Sequence, residues 1–216
     1  MEIHVPHKPV LTVKEFFVHL AMITLGVFIA LSFEGIASWF DHRALARDAT
    51  ANLTKEIQDN KAELDQVLSR LGQTRKDLEE IAKTVSTLTD AKTPKPKSLS
   101  AGVHFNIANL RSASRTSAEV TGAFSFMEYE KVKKYAGVYD IQQEFEKVQE
   151  SALQTVLSTI ADVQVLKNPD TIKERDFDEL RQSLRRTEAV LIGLKQLGKQ
   201  LSSSFDSVLS GKTSSF

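Results

Sequence analysis

His4 and His7 stand three residues apart, the spacing of half a metal site. Imidazole nitrogens hold zinc and similar ions, but a protein site supplies about three or four ligands. Glu2 is the one acidic neighbour, the chain has no cysteine, and Pro6 and Pro9 interrupt the segment. The pair therefore reads as part of an irregular tail. A di-iron helical bundle needs Glu-x-x-His pairs on inward helix faces. No histidine here follows a glutamate by three residues. The phosphate-cradling GxxxxGK[ST], the dinucleotide GxGxxG, the hydrolase GxSxG and the metalloprotease HExxH are absent. Lack of cysteine removes disulfides, thiolate catalysis and zinc–thiolate sites. No nucleophile, base and acid cluster at a recognisable spacing. The expectation is a protein without catalytic activity, metal or cofactor.

Two further groups of residues invite chemistry. Tyr129, Tyr135 and Tyr139 stand near Phe124, Phe126 and Met127, the one aromatic-rich zone outside the N-terminal region. They read as the packed end of a helical bundle, because aromatic rings bury large areas. A ligand pocket at that turn is the alternative. The second group is His19 and Glu34, the strongly polar side chains in and beside an otherwise apolar run.

That run, residues 16–33, reads FFVHLAMITLGVFIALSF and carries no Asp, Glu, Lys or Arg. Eighteen helical residues rise about 27 Å, close to the ~30 Å hydrocarbon core of a bilayer. A cleaved signal peptide would have a basic leader and a shorter apolar core. Here Lys8 and Lys14 are offset by Glu2 and Glu15, and helix-forming sequence continues through the cleavage-like Ala30-Leu31-Ser32. A buried core helix of a soluble protein is the other competing reading; the run is apolar all round, whereas a surface helix would show one polar face. Trp39 and Phe40 beside Asp41, His42 and Arg43 form an interfacial belt. Residues 16–40 are thus expected to form an uncleaved transmembrane helix after a tail of residues 1–15, with the lipid bilayer as first partner.

At 100° per residue, His19, Ile23, Gly26, Ala30, Glu34 and Ala37 fall within about 80° of one another. Gly26 and Ala30 make a small-xxx-small pair that lets helix backbones approach. Ionisable groups at membrane depth usually face protein. This face is the candidate contact with a second copy or with a partner membrane protein. Chance is the competing reading, since small residues are common in spans and both polar groups lie near its ends.

Charge says little about orientation. Lys8 and Lys14 precede the span; Arg43, Arg47 and Lys55 follow it. Long domains translocate largely regardless of charge. The expectation is a short inside tail and an exported domain. Over the 216 residues, 28 basic and 28 acidic side chains cancel. Nucleic-acid binding normally shows as a basic face, so no nucleic-acid partner is expected. Nine glycines and five prolines favour long helices over a sheet.

Leu53, Ile57, Leu64, Val67, Leu71, Leu78, Ile81, Val85 and Leu88 follow alternating three- and four-residue steps, with Asn60 and Thr74 as polar seam positions. This is a heptad pattern, and one helix is expected from residue 16 to about 89. Residues 41–90 are its bundle part, with Gly72 the weakest point. Residues 91–104 hold Pro94, Pro96 and three lysines and read as a solvated loop. Residues 105–127 should form a short helix over 105–121, closed by Gly122, and a turn. Ser125 and Glu128 have capping-box spacing. Residues 128–210 should form an antiparallel helical hairpin, broken at Asn168-Pro169-Asp170 and restarted by a capping box at Thr171 and Glu174. The first arm carries Val132, Tyr135, Val138, Ile141, Phe145, Val148, Val156, Ile160 and Val163, with a phase slip near Ser151. The second keeps a strict frame through Phe177, Leu180, Leu184, Leu191, Leu194, Leu201, Phe205 and Val208, with Thr187 and Gly198 filling the gaps. Residues 211–216 are a tail. The fold expected is all-α: a transmembrane helix running into an elongated antiparallel three-helix bundle plus one short helix.

The stretch ITLGVFIALSFEGIASWFDHR, followed by Leu53, Ile57, Asn60 and Leu64, resembles a bacterial family of single-span membrane proteins of unknown function. Its members read roughly IGILIAL, then a Trp and basic residues, then a helical region. Gly26, Ile29, Ala30, Leu31, Trp39 and Arg43 match that pattern. The block TGAFSFMEYEKVKKYAGVYDIQ is similar to a recurring block of such proteins. The resemblance implies a small single-span membrane protein and carries no activity or functional residues; the localisation expected is the bacterial inner membrane, with the helical domain periplasmic. Two functions fit: a membrane-anchored interaction scaffold of the bacterial envelope, or a sensor-like bundle that signals through its span to a partner.

Overall fold

The computed structural model describes residues 13–89, 102–164 and 173–211. Among them the chain is all-α: α1 Val13–Thr89, α2 Ala113–Val120, a 3₁₀ turn Ala123–Phe126, α3 Tyr129–Gln164 and α4 Glu174–Leu209. The loop prolines Pro94 and Pro96, the Asn168-Pro169-Asp170 break, and His4 and His7 lie outside the described residues.

α1 runs 77 residues without interruption, on the order of 115 Å. Neither Gly35 nor Gly72 breaks it. Its heptad stripe from Leu53 to Leu88 is buried, polar Asn60 and Thr74 included. On α4 the stripe from Phe177 to Phe205 is likewise buried, with Thr187 and Gly198 in register. Gly198 lets α4 approach Leu68 and Phe145 closely, so a larger residue would have to displace the Leu68 side chain. A Cβ on it would lie 2.6 Å from Leu68 Cδ2 and 3.1 Å from Phe145 Cε2.

Pairwise contacts set the direction of each helix. Lys61 of α1 meets Ser202 and Asp206 of α4, while Arg75 meets Glu188, so these two helices are antiparallel. Thr159 of α3 bonds Thr187 of α4 at 2.7 Å, and Phe145 lies by Gly198, again antiparallel. Thr54, Glu56 and Asn60 of α1 meet Tyr135, Tyr139 and Gln142 of α3, so α1 and α3 run the same way. In a three-helix antiparallel bundle two helices must share a direction, and here they are α1 and α3, with α4 antiparallel to both. A descending segment after α1 returns the chain to the base before α3 starts.

That descending segment also corrects the expected helix over 105–121. Only Ala113–Val120 is helical, and residues 102–112 form an irregular strap. Length explains this. His104 binds Asp77, and ten residues later Ser114 binds Glu56, 21 residues back along α1. The helix covers that interval in about 31 Å. Ten extended residues span roughly 33 Å, whereas ten helical residues would span only about 15 Å. Gly122, at φ +70°, closes α2 as expected; a left-handed residue there is most readily a glycine.

Three local expectations change. Ser125 is not an N-cap: it sits in the 3₁₀ turn, its N–H bonded to the Gly122 carbonyl at 3.0 Å. Glu128 starts α3 instead, its carbonyl accepting from the Lys131 and Val132 N–H groups. Glu174 begins α4, but the carboxylate that caps it belongs to Asp176, which accepts the Lys173 N–H at 2.9 Å; Thr171 lies outside the described residues. The phase slip near Ser151 is absent. The buried line of α3 is Tyr135, Val138, Gln142, Phe145, Gln149, Ala152, Val156, Thr159 and Val163, an unbroken heptad frame. Ile141, Val148 and Ile160 flank it, half-buried. A stripe drawn through apolar residues alone steps off the seam wherever the seam is an amide.

The two glycines of α4 give opposite predictions. Gly198→Val should destabilise the detergent-solubilised protein by about 1–3 kcal/mol, through overpacking against Leu68 and Phe145. Gly193→Ala meets open space and should stabilise it by up to about 1 kcal/mol, from helix propensity. Thermal denaturation followed by circular dichroism reads both; equal shifts would show that the Gly198 contact is slack.

Candidate functional site

The N-terminal part of α1 stands clear of the bundle core. Residues 13–43 are exposed throughout, including Phe16, Phe17, Met22, Leu25, Phe28 and Phe33. This helix, near the N-terminus, is long and apolar enough to cross a membrane. Three of its polar side chains turn to their own helix backbone. Thr24 and Ser32 donate to the carbonyls of Leu20 and Phe28 at 2.8 and 2.7 Å, and His19 Nδ1 lies 2.8 Å from the Glu15 carbonyl. Such back-bonding satisfies hydroxyls where water is missing.

His19, Ile23, Gly26, Ala30, Glu34 and Ala37 lie on this exposed part, as a single face of one continuous helix. Space beside Gly26 is open to 4 Å, so no described part of the chain occupies the small-xxx-small groove. Beyond it, Trp39 and Phe40 meet edge-on at 5.0 Å, and the Arg43 guanidinium lies 5.4 Å from the Trp39 ring centroid. His42 stacks on Phe126 of the 3₁₀ turn, centroids 3.8 Å apart and planes 10° from parallel.

The aromatic zone divides along this line. Tyr135 and Tyr139 are buried, while Tyr129 is 75% exposed. Tyr139 donates to Glu56 at 2.6 Å, and Tyr135 shares a 3.0 Å hydrogen bond with Thr54. Burial first, then the Glu56 carboxylate, pushes the Tyr139 hydroxyl far above its usual range and keeps it protonated. Tyr135 and Tyr139 belong to the packed base of the bundle, while Phe126 and Tyr129 stay exposed. No group of three or more His, Asp or Glu among the described residues is arranged to hold a metal ion.

A polar clamp above this base is the feature that apolar periodicity missed. The strap lies between α1 and α3, and side chains bond its backbone on both sides. The Asn60 amide takes the Arg111 N–H at 2.8 Å and gives to the Arg111 carbonyl at 2.7 Å. The Gln149 amide does the same for Ala108, at 2.7 and 3.0 Å. Asp77 accepts the His104 N–H at 2.8 Å, while Thr74 donates to the His104 carbonyl. Gln142 links Asn60 to the Arg111 carbonyl, and Glu56 takes the Ser114 N–H. No buried side-chain nitrogen or oxygen among the described residues is left without a partner. The register follows from geometry. One heptad, as from Gln142 to Gln149, rises about 10.5 Å; three extended residues, as from Arg111 to Ala108, span roughly 10 Å. Amides one heptad apart on a seam were the available signal.

Charge at the clamp is concentrated on Asp77. Burial raises its carboxyl pKa, but the His104 N–H, the Gln73 amide and the His104 ring outweigh burial and hold it below 3.8. A depressed carboxyl contributes stability above its unfolded pKa and loses it as pH falls through the folded value. Acidification from about pH 4 downward should therefore release the strap at His104, and Asp77→Asn should remove that part of the pH dependence. Amide exchange at His104 measures both. Gln149→Leu should cost about 2 kcal/mol or more, because the Ala108 N–H and carbonyl lose their partner. Exchange at Ala108 should quicken, whereas exposed Gln143→Leu should change neither quantity.

Compared with protein-family models, curated proteins and solved structures, the chain gives no match.

Proposed function

We propose that the protein is a single-span membrane protein of the bacterial inner membrane. Its helical domain, on the periplasmic side, acts as an interaction scaffold without catalytic activity. One observation carries this reading: the exposed apolar part of α1 and its buried bundle seam belong to the same unbroken helix. An anchor joined this way holds the bundle at a set height, since a helix is stiff over this length. The resemblance of residues 23–43 to single-span bacterial proteins points the same way. The face of His19, Ile23, Gly26, Ala30, Glu34 and Ala37 is the surface through which the span would pair with a second copy or with a partner membrane helix. The open groove at Gly26 favours close backbone approach.

The same continuity favours a second reading, in which the bundle receives a signal and α1 carries it to a partner span. A bundle that stays monomeric and binds a small molecule would support the sensor. Stable association through the span supports the scaffold.

The chain has no native cysteine, so a single introduced one reports cleanly. Ala37→Cys, oxidised in native membranes, should give a discrete cross-linked species. Ser38→Cys, about 100° around the helix, should give less. Gly26→Ile with Ala30→Ile should weaken the Ala37→Cys adduct about tenfold, equivalent to ~1.4 kcal/mol. Equal cross-linking at positions 37 and 38 would rule out the proposed face.

A further inference from the structure

Apolar surface outside the anchor is sparse and unevenly placed. Beyond residue 40, the large exposed hydrophobic side chains among the described residues are Ile107, Val120, Phe126, Tyr129, Leu157 and Ile192. Three of these six fall within residues 120–129, the turn that joins α2 to α3. That turn is at the base of the bundle, where Phe126 stacks on His42 of α1. Phe126 keeps 43% of its surface open despite that contact.

The height of the turn follows from α1. If residues 16–40 span the bilayer, their midpoint is residue 28, and His42 stands about 21 Å above it. Headgroups reach roughly 20–22 Å from the bilayer centre. Phe126, held against His42, is therefore level with the outer headgroups. A tilt of ~20° is ordinary for a spanning helix. Tilting towards the turn would lower it by another ~3 Å, for a ring about 10 Å off the helix axis. Aromatic rings are enriched in this layer, and Trp39 and Phe40 occupy it on α1 itself. The turn has no excess positive charge: Glu128 pairs with Lys131 at 3.5 Å, and Glu130 follows it.

We propose that the 3₁₀ turn is a second membrane contact, a foot that places Phe126 in the headgroup layer of the bilayer crossed by α1. Val120 and Tyr129 flank it. The occupant of this patch is the lipid surface, and the contact is apolar and aromatic rather than electrostatic. One helix leaves a rod free to tilt in any direction. A second contact to one side selects a tilt direction and so orients the bundle above the membrane. The inference rests on the reading of α1 as a membrane span.

The test uses the full chain in phosphatidylcholine vesicles containing lipid spin-labelled near the headgroup. Trp39 is the sole tryptophan, and its quenching reports the anchor. Phe126→Trp in a Trp39→Phe background reports the foot and keeps an aromatic ring against His42. Ile192→Trp in the same background is the control. Arg75 meets Glu188, which puts Ile192 roughly 40 Å beyond His42 along α1. The expected result is quenching at position 126 comparable with that of native Trp39, with a blue-shifted emission, and none at position 192. Quenching of Trp39 with position 126 no different from position 192 would overturn the foot and leave the anchor standing. No quenching of Trp39 would overturn the anchor and the foot together.

Discussion

An extended segment in a helical protein must find partners for its backbone N–H and C=O groups, because a buried unpaired group costs about as much as a lost hydrogen bond. The strap over residues 102–112 has no helical ladder and, among the described residues, no neighbouring strand. Its partners are side chains: Asn60, Thr74 and Asp77 from α1, Gln142 and Gln149 from α3. The rest of the architecture depends on this arrangement. The strap fills the position that a fourth helix would take, between two helices that run in parallel. Remove the strap and α1 and α3 would face each other across a row of buried amides and carboxylates.

Buried polar seams seldom add much net stability, but they specify arrangement. Asn60 and Gln149 each bond both backbone groups of one strap residue, so a slip by one residue would lose both bonds at once. The register of strap against helices is therefore set chemically, while apolar packing sets only the approach. The interface between α3 and α4 follows the same logic in miniature, where Thr159, Thr187 and Ser183 share hydroxyl bonds inside an apolar seam. Below the clamp, Glu56 joins strap to base by accepting from both Ser114 and Tyr139. The base in turn meets α1 through the Phe126–His42 stack. A chain of contacts thus runs from the strap to the end of the exposed apolar part of α1.

The length of α1 and the buried seams of α1 and α4 were legible because period and helix coincide there. A strict three-four spacing over many turns has one structural solution. That His19, Ile23, Gly26, Ala30, Glu34 and Ala37 share one side of α1 follows from the 100° step on an unbroken helix; their role as a contact is the proposal. The seam of α3 was legible only in part. Its line passes through Gln142, Gln149 and Thr159, and a hydrophobic reading replaced them with Ile141, Val148 and Ile160. Residues 105–112 resembled a helix start because Phe105, Ile107 and Leu110 carry a plausible spacing. Nothing local in that segment states how far it must reach.

Sequence by itself determined the all-α class, the apolar N-terminal helix, the uninterrupted α1 and the apolar stripe of α4. These follow from periodicity, composition and the placement of glycine and proline, which act within a few turns of chain. Tertiary structure alone decided that α1 and α3 run in parallel, that the connecting segment is extended, and that Glu56, Asp77, Gln142 and Gln149 are structural. The physical reason is distance. The strap must descend about 31 Å of α1 in ten residues, a requirement set by where its two ends are held. Only when both helices are in place do their amides meet a backbone that needs them.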